Sequence, residues 1–400
     1  MTPKQTFDVA VVGAGVFGAW TAYQLRQSGA AVVLLDAYGP GNSRASSGGE
    51  SRIMRLGYGP DEIYTRSAQR SLALWRELFD RVEPAGTPSQ VSDELARLST
   101  PLFHVTGVLW LARENDSYCE ATLATLGRVG ARLEKLQRDE LQRRYPALKL
   151  GPVVWGILEP DSGVLMARQA VKAVTAEARA QGVTYLEEAA VPLPGQGKLD
   201  SITTASGGKI FADKFVFACG PWLPKLFPEL LSDLIHVTRQ EVFFFGVPAG
   251  DDRFAPERLP AWIDFNDFIY GIPNLDNRGF KIAIDEHGPE FDPDTGERLV
   301  SSAGLKAVRA YLADRVPLLA NAPVTETRVC QYENTSNGDF LIDRHPAFEN
   351  VWVAGGGSGH GFKHGPAVGE YVAAMISGNT NVEPRFAFAT REKVQHRMVY

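Results

Sequence analysis

Phe7-Asp8-Val9-Ala10-Val11-Val12-Gly13-Ala14-Gly15-Val16-Phe17-Gly18 is the segment from which the architecture can be inferred. Phe7 to Val12 is short, β-branched and apolar on both faces, the pattern of a strand buried in a parallel sheet. The glycine turn Gly13 to Gly18 follows directly. Ala19 to Gln27 then carries Ala19, Ala22 and Leu25 on one helical stripe and stops at Ser28-Gly29. Ala31 to Leu35 is a second apolar strand, ending in Asp36. Strand, glycine turn, helix, strand, acid is the order of a dinucleotide site. Gly13 allows the tight turn, Gly15 lets the backbone approach a pyrophosphate, and Gly18 lets the helix lie close on the strand. The pyrophosphate would sit at the helix amino terminus, where free N–H groups and the dipole favour an anion. Asp36 is placed to accept from ribose hydroxyls. The motif alone does not separate FAD from NAD.

A second glycine cluster lies far along the chain. Val351 to Ala354 reads as a buried strand, and Gly355-Gly356-Gly357-Ser358-Gly359-His360-Gly361-Phe362-Lys363 follows it. Pro366 suits a first helical turn, and Ala367 to Ile376 reads as a helix. Six glycines in the eleven residues 355–365 sit between a strand and a helix, which argues against a flexible surface turn. One helix end would serve the diphosphate. The other could face a second electron-rich group, such as the N1–C2=O edge of a flavin.

The chain has 400 residues, which gives two or three domains as a prior. Hydrophobic residues are 44% and charged residues 22%, enough apolar surface for a sizeable core. The formal net charge of -6 argues against nucleic acid or an anionic membrane as partner. Cys119, Cys219 and Cys330 have no metal-ligand spacing and form no disulfide framework, which suits a reducing compartment. The apolar run after Met1 is too short to span a membrane and lacks a signal-peptide cleavage pattern. A cytoplasmic protein is expected. The oligomeric state is left open, a monomer being compatible.

The chain resembles the flavin-dependent amine oxidases of the D-amino-acid-oxidase superfamily, of the sarcosine oxidase and N-methyltryptophan oxidase type. The resemblance rests on Gly13 to Gly18 with Asp36, on Gly48-Gly49-Glu50-Ser51-Arg52-Ile53-Met54-Arg55, and on Glu159-Pro160-Asp161-Ser162-Gly163-Val164-Leu165. It continues through Ala218-Cys219-Gly220-Pro221-Trp222, Tyr270-Gly271-Ile272-Pro273 with Lys281, Cys330-Gln331-Tyr332 running to Phe340-Leu341-Ile342-Asp343, and Gly357 to Lys363. It implies an α/β (α+β) chain of two interleaved units. A Rossmann-like FAD-binding domain would comprise residues 1–83, 151–227 and 325–385. A substrate domain with an antiparallel sheet would comprise 84–150 and 228–324. His236 to Val247 and Phe280 to Ile284 are strand-like, as this requires. Residues 84–101, rich in Pro, Gly, Ser and Thr, read as a surface insertion.

The resemblance also implies roles. FAD is the cofactor, with contacts expected from Gly13, Gly15, Val16, Phe17, Gly18, Asp36, Ser51, Arg52, Val191, Gly220, Trp222, Cys330, Gly357, Gly359, His360, Gly361 and Lys363. Arg55 and Lys363 match a clamp for a substrate carboxylate, arginine bidentate and lysine a point charge. The alternatives are a surface or phosphate-contacting arginine and a solvated lysine. Arg52 matches a cation beside the flavin ring. If its segment is helical, it shares a face with Arg55. Lys281, inside the apolar run Gly279 to Ile284, matches a lysine that assists oxygen reduction; otherwise strand alternation points it outward. Tyr270 matches a pocket tyrosine, or else is a core aromatic. Cys330 matches a cysteine bonded to the flavin, or else is a small buried hydrophobe.

Two departures stand out. Sarcosine oxidases carry a histidine where this chain has Gly48, and a pocket histidine where it has Asp285, with His287 displaced. This shifts the expectation from sarcosine toward a larger or more basic amine. The expected activity is oxidation of a carboxylate-bearing amine, an N-methyl or other secondary amino acid, by hydride transfer to flavin N5, with imine hydrolysis and oxygen reduced to hydrogen peroxide. The alternatives are an amino-acid or fructosyl-amino-acid dehydrogenase or oxidase using another electron acceptor, and a subunit of a larger complex.

Overall fold

Thr6–Val12 lies inside a seven-stranded sheet. A computed structural model of the chain describes residues 6–82, 101–193, 195–379 and 382–396; the expected insertion at 84–101 falls outside them apart from its last position. Across the sheet the strands run Leu341–Arg344, Val351–Gly355, Lys209–Phe217, Thr6–Val12, Val32–Asp36 and Thr184–Glu187, with Ser201–Thr203 beside Lys209–Phe217. The inner pairings are parallel. Leu341–Arg344 and Ser201–Thr203 pair antiparallel at the periphery.

Both faces of this sheet are covered, which is why its central strands read as unbroken apolar runs. On one side Val9, Val11 and Leu34 pack with Trp20 of helix Val16–Gln27 and with Val368 and Val372 of helix Gly365–Ile376. On the other, Ala10, Val12, Phe215 and Phe217 pack with Leu223 and Phe227. The first helix opens at Val16, ahead of the expected Ala19, because the glycine turn is itself the helix entrance. Both glycine loops therefore lead into helices that lie side by side on one face.

A second, eight-stranded sheet runs in the order Val324–Asn334, His236–Phe245, Phe280–Ile284, Ile269–Ile272, Ala261–Asp264, Val108–Ala112, Trp155–Glu159 and Glu134–Gln137. It is antiparallel except where Ala261–Asp264 meets Val108–Ala112. Strand alternation sorts its side chains. Phe243, Phe245, Phe280 and Ile282 face helix Ser302–Arg315 through Val308 and Leu312. Val242, Phe244, Ala283 and Tyr270 cluster on the opposite face. A small sheet of Arg52–Met54, Gly163–Leu165 and Phe103–His104 completes the set among the described residues.

Trp155–Glu159 pairs with Val108–Ala112, and Val324–Asn334 pairs along His236–Phe245, so both strands belong to the eight-stranded sheet. Sheet membership is set by the partner across the ladder, which a run of apolar residues does not reveal. The segment around Arg52 is a strand, not a helix, so Arg52 and Arg55 do not share a helical face. No helix among the described residues is long and apolar enough to cross a membrane.

A Cβ at Gly18 would lie 1.8 Å from the Gly13 carbonyl oxygen and 3.2 Å from Ala218 Cβ. Gly18→Ala should therefore lower the thermal midpoint by overpacking, on the order of 1–3 kcal/mol. An unchanged melting curve would show that the helix does not sit this close to the strand.

Candidate active site

A cavity of about 390 Å³ opens between the two glycine loops. Gly13, Gly15, Val16 and Phe17 wall it at the amino terminus of the first helix, and Gly357, Gly359 and Gly361 wall it from the second loop. Gly13 has φ +100°, and a Cβ there would meet the Ala218 carbonyl oxygen at 2.4 Å, so the turn excludes a side chain. Asp36 closes one end. Its Oδ2 accepts from the Ala14 N–H at 2.7 Å and its Oδ1 from the Tyr38 N–H at 2.9 Å. Burial raises its carboxyl above the ordinary value, while those backbone donors oppose the rise.

Glu333 supplies a test of what the cleft holds. Its Oε1 accepts from the Gly357 N–H at 3.2 Å, while Oε2 is buried with no hydrogen-bond partner among the described residues. Burial pushes the carboxyl up to about 7. An orphaned carboxyl oxygen on the wall of a glycine-lined cleft fits a ligand rich in hydroxyl and phosphate oxygens, which FAD is.

Most of the expected cofactor residues come together here: Gly13, Gly15, Val16, Phe17, Asp36, Arg52, Gly220, Trp222, Cys330, Gly357, Gly359 and Gly361 all line the cleft. Gly18 does not line it, because its place is under the strand. Val191 does not either; its N–H donates to the Thr203 carbonyl at 3.0 Å, and its neighbours Ala190 and Pro192 form the wall. Ser51 is turned toward Lys281. His360 and Lys363 line an adjoining cavity instead.

That second cavity, of about 90 Å³, meets the cleft at Arg52, Cys330, Tyr332, Gly359 and Phe362, which line both. Cys330 Sγ stands 3.2 Å from Arg52 Nη2 at this junction. Arg55 and Lys363 both line the second cavity, 6% and 5% exposed. The alternatives of a surface arginine and a solvated lysine are thereby excluded. The Arg55 guanidinium lies 4.2 Å from the Tyr58 ring centroid and 4.9 Å from that of Trp110, and donates to the Gly57 carbonyl. Lys363 Nζ donates to Tyr58 Oη at 2.8 Å and to the His360 carbonyl at 2.9 Å. Burial, reinforced by Arg55, holds the Lys363 amine well below its usual basicity. Tyr270 lines the same cavity.

Lys281 is 2% exposed. Its Nζ donates to the Ser51 carbonyl at 2.8 Å and sits 5.7 Å from the Tyr270 ring centroid. Alternation does turn it away from Phe280 and Ile282, but the face it reaches is covered. Burial first, then Arg52, depresses its basicity strongly. It lines a third cavity, of about 240 Å³, that shares Arg52 and Cys330 with the cofactor cleft.

Several residues of the site escape sequence inspection. Tyr58 links Lys363 to His364, whose Nε2 is 2.7 Å from Tyr58 Oη and whose Nδ1 is 2.9 Å from Ser67 Oγ. The neutral tautomer with its proton on Nδ1 satisfies both contacts, and burial keeps His364 from charging. Glu159, 1% exposed, accepts from the Leu56 and Gly57 N–H groups, Trp110 Nε1 and Ser162 Oγ. It thereby shapes the loop that presents Arg55. Tyr58 carries no motif; Glu159 lies in a stretch that the resemblance had already picked out. At Gly48 a Cβ would come within 1.8 Å of the Asn42 carbonyl oxygen, so no imidazole fits that position.

The family described as FAD dependent oxidoreductase matches residues 8–375. The chain belongs to this family and is an FAD-dependent oxidoreductase, which resolves the choice between FAD and NAD. It is 31% identical over 391 residues to a monomeric sarcosine oxidase of Bacillus sp. (strain B-0618), covering 94% of this chain and 93% of that one. It is 26% identical to an N-methyl-L-tryptophan oxidase of Salmonella heidelberg (strain SL476), covering 94% and 95%. The solved structure of L-proline dehydrogenase from P. horikoshii shares the fold, with a TM-score of 0.79 and 21% identity over 96% of this chain and 97% of that one.

Glu333 generates a pH prediction. Its carboxyl can donate below about 7 and becomes a repelling carboxylate above it, against a cofactor that carries a diphosphate. In a Cys330→Ala chain, FAD affinity measured by flavin fluorescence quenching should fall as pH rises through about 7. Glu333→Gln should flatten that fall; an equally steep fall in the double variant would remove Glu333 from the cofactor site.

Proposed function

We propose that this chain oxidises a carboxylate-bearing amine, an N-methyl or other secondary amino acid, with oxygen as electron acceptor. The observation that carries this reading is the pairing of Arg55 and Lys363 on one small cavity that abuts the cofactor cleft. Two cations held out of water invite an anion, and a planar carboxylate matches a guanidinium plus an ammonium.

When bound, FAD would supply a hydride acceptor and a route for two electrons to oxygen, with hydrogen peroxide as the product. The chain's own groups do the rest. Arg55 and Lys363 hold the carboxylate and so orient the carbon beside nitrogen toward the junction. Tyr58, anchored by His364, keeps the Lys363 ammonium directed. Ile263, Phe265, Phe268 and Ile269 line the remainder of the cavity and exclude water. Loss of a hydride from carbon and a proton from nitrogen leaves an imine, which water hydrolyses. Lys281 lines the cavity that shares Arg52 with the cofactor cleft, and in its protonated form would favour negative charge developing on oxygen. Cys330, which lines both the cleft and the cavity, would be the residue that holds the cofactor covalently.

Peroxide release over a panel of N-methyl and primary amino acids tests the reading; reduction of a dye without peroxide would make the chain a dehydrogenase. Arg55→Met and Lys363→Met should each weaken carboxylate binding by about 2–5 kcal/mol, read as a higher KM. Carboxylate binding should also weaken as pH rises through the depressed ionisation of Lys363, since the charged form is lost there. Lys281→Met should slow reoxidation far more than flavin reduction, and equal slowing of both would refute its role. Yellow colour freed by acid precipitation would exclude the Cys330 bond.

A further inference from the structure

Three carboxylates line the substrate cavity: Glu241, Asp264 and Asp285. Two are already committed. Glu241 accepts from the Ser301 N–H and Oγ and pairs with Arg239 at 2.8 Å. Asp264 is fully buried and pairs with Arg315 at 2.7 Å. Asp285 differs. It directly follows strand Phe280–Ile284, and its N–H is tied to the Phe268 carbonyl at 2.6 Å. Tyr332 Oη donates to Oδ1, and no donor among the described residues reaches Oδ2. The side chain is thus fixed at one oxygen and free at the other. Glu159, the remaining nearby carboxylate, accepts from four internal donors and lines none of the three cavities described above.

The surrounding charges make an anion at this point informative. Arg55, Lys363 and Arg52 all act on Asp285. A substrate carboxylate held by the first two would leave its ammonium a few bonds away, and a zwitterion needs an acceptor there. We propose that Asp285 is that acceptor: Oδ2 receives the substrate ammonium and then takes the N–H proton that must leave before the amine can be oxidised. In this step an N–H bond breaks, an O–H bond forms, and the nitrogen lone pair is released; no oxidant is involved. The inference rests on the carboxylate-clamp reading above. It selects amines that enter protonated and bear at least one N–H, and disfavours quaternary ones. Burial raises the Asp285 carboxyl to about 6, closer to an amine than an ordinary carboxylate, which lowers the cost of the transfer. Tyr332 stays as the donor to Oδ1 and holds the carboxyl in place in both states.

Two probes separate the two ends of the site. 2-Aminoisobutyrate carries carboxylate and ammonium but no hydrogen on its α-carbon, so it cannot be oxidised. Pivalate replaces the ammonium with methyl. Both would be titrated into the oxidised holoenzyme and followed by perturbation of the flavin absorbance. The wild-type protein should prefer 2-aminoisobutyrate at least tenfold. Asp285→Asn should abolish the preference while leaving pivalate affinity unchanged, which loss of pocket shape would not do. The wild-type preference should fade as pH drops through about 6, where the carboxylate is protonated. The other titratable groups lining this cavity are Tyr332, Tyr270, Arg52, Arg55, Lys363, His360, Cys330, Glu241 and Asp264. Pivalate binding without any preference in the wild type, or a preference that survives Asp285→Asn, would overturn the assignment and spare the clamp. Equal loss of both probes in the variant would make Asp285 structural and overturn it as well. Failure of the wild type to bind either probe would overturn the clamp and this assignment together.

Discussion

Cations withdrawn from water organise this molecule. Arg52, Arg55, Lys281 and Lys363 come from three separate segments to line a cofactor cleft and the two cavities that share Arg52 with it. Burying like charges side by side is costly unless anions or strong acceptors answer them. The chain answers partly from within. Backbone carbonyls of Ser46, Ser51, Gly57 and His360 accept from them. The two lysines also yield some of their basicity. The remainder is an electrostatic demand that an anionic cofactor, and the carboxylate of the proposed substrate, would satisfy. The site is therefore tuned for ligands before they arrive.

The two large sheets make this convergence possible. The parallel sheet sends its glycine turns toward one edge of the cleft and so provides helix ends and bare backbone. The other sheet offers a surface of alternating side chains, one set packed on helix Ser302–Arg315 and the other turned to the cavities. Lys281, Tyr270, Asp285 and Tyr332 belong to the second sheet or its edge, whereas Lys363 sits in the 3-10 turn Phe362–His364 that enters helix Gly365–Ile376 and Arg55 follows strand Arg52–Met54 of the small sheet. The reaction space lies where polar groups from both are closest, and neither sheet could form it alone.

How much of this is legible in the residues differs from place to place. The strand-turn-helix unit at Phe7 to Gln27 is local: its spacing, its glycines and its apolar run constrain one another within a few turns of chain. The glycine loop before Ala367 is legible for the same reason. The strand around Arg52 is not, because three residues carry too little pattern to tell strand from helix. Nor is the allegiance of Trp155–Glu159, whose partners are distant in sequence. Tyr58 and His364 form a relay that only proximity in space exposes.

By itself the sequence determined that a dinucleotide would be gripped by a glycine turn at the head of a helix, and that a second such turn existed near residue 360. Those features depend on backbone freedom and periodicity, which are written residue by residue. Only the tertiary structure decided that Lys281 faces a covered cavity rather than solvent, that Arg55 and Lys363 meet on one wall, and that Asp285 keeps an oxygen free. Those are facts about which distant surfaces come into contact, and the energy of a buried charge depends on its neighbours in space rather than on its neighbours in the chain.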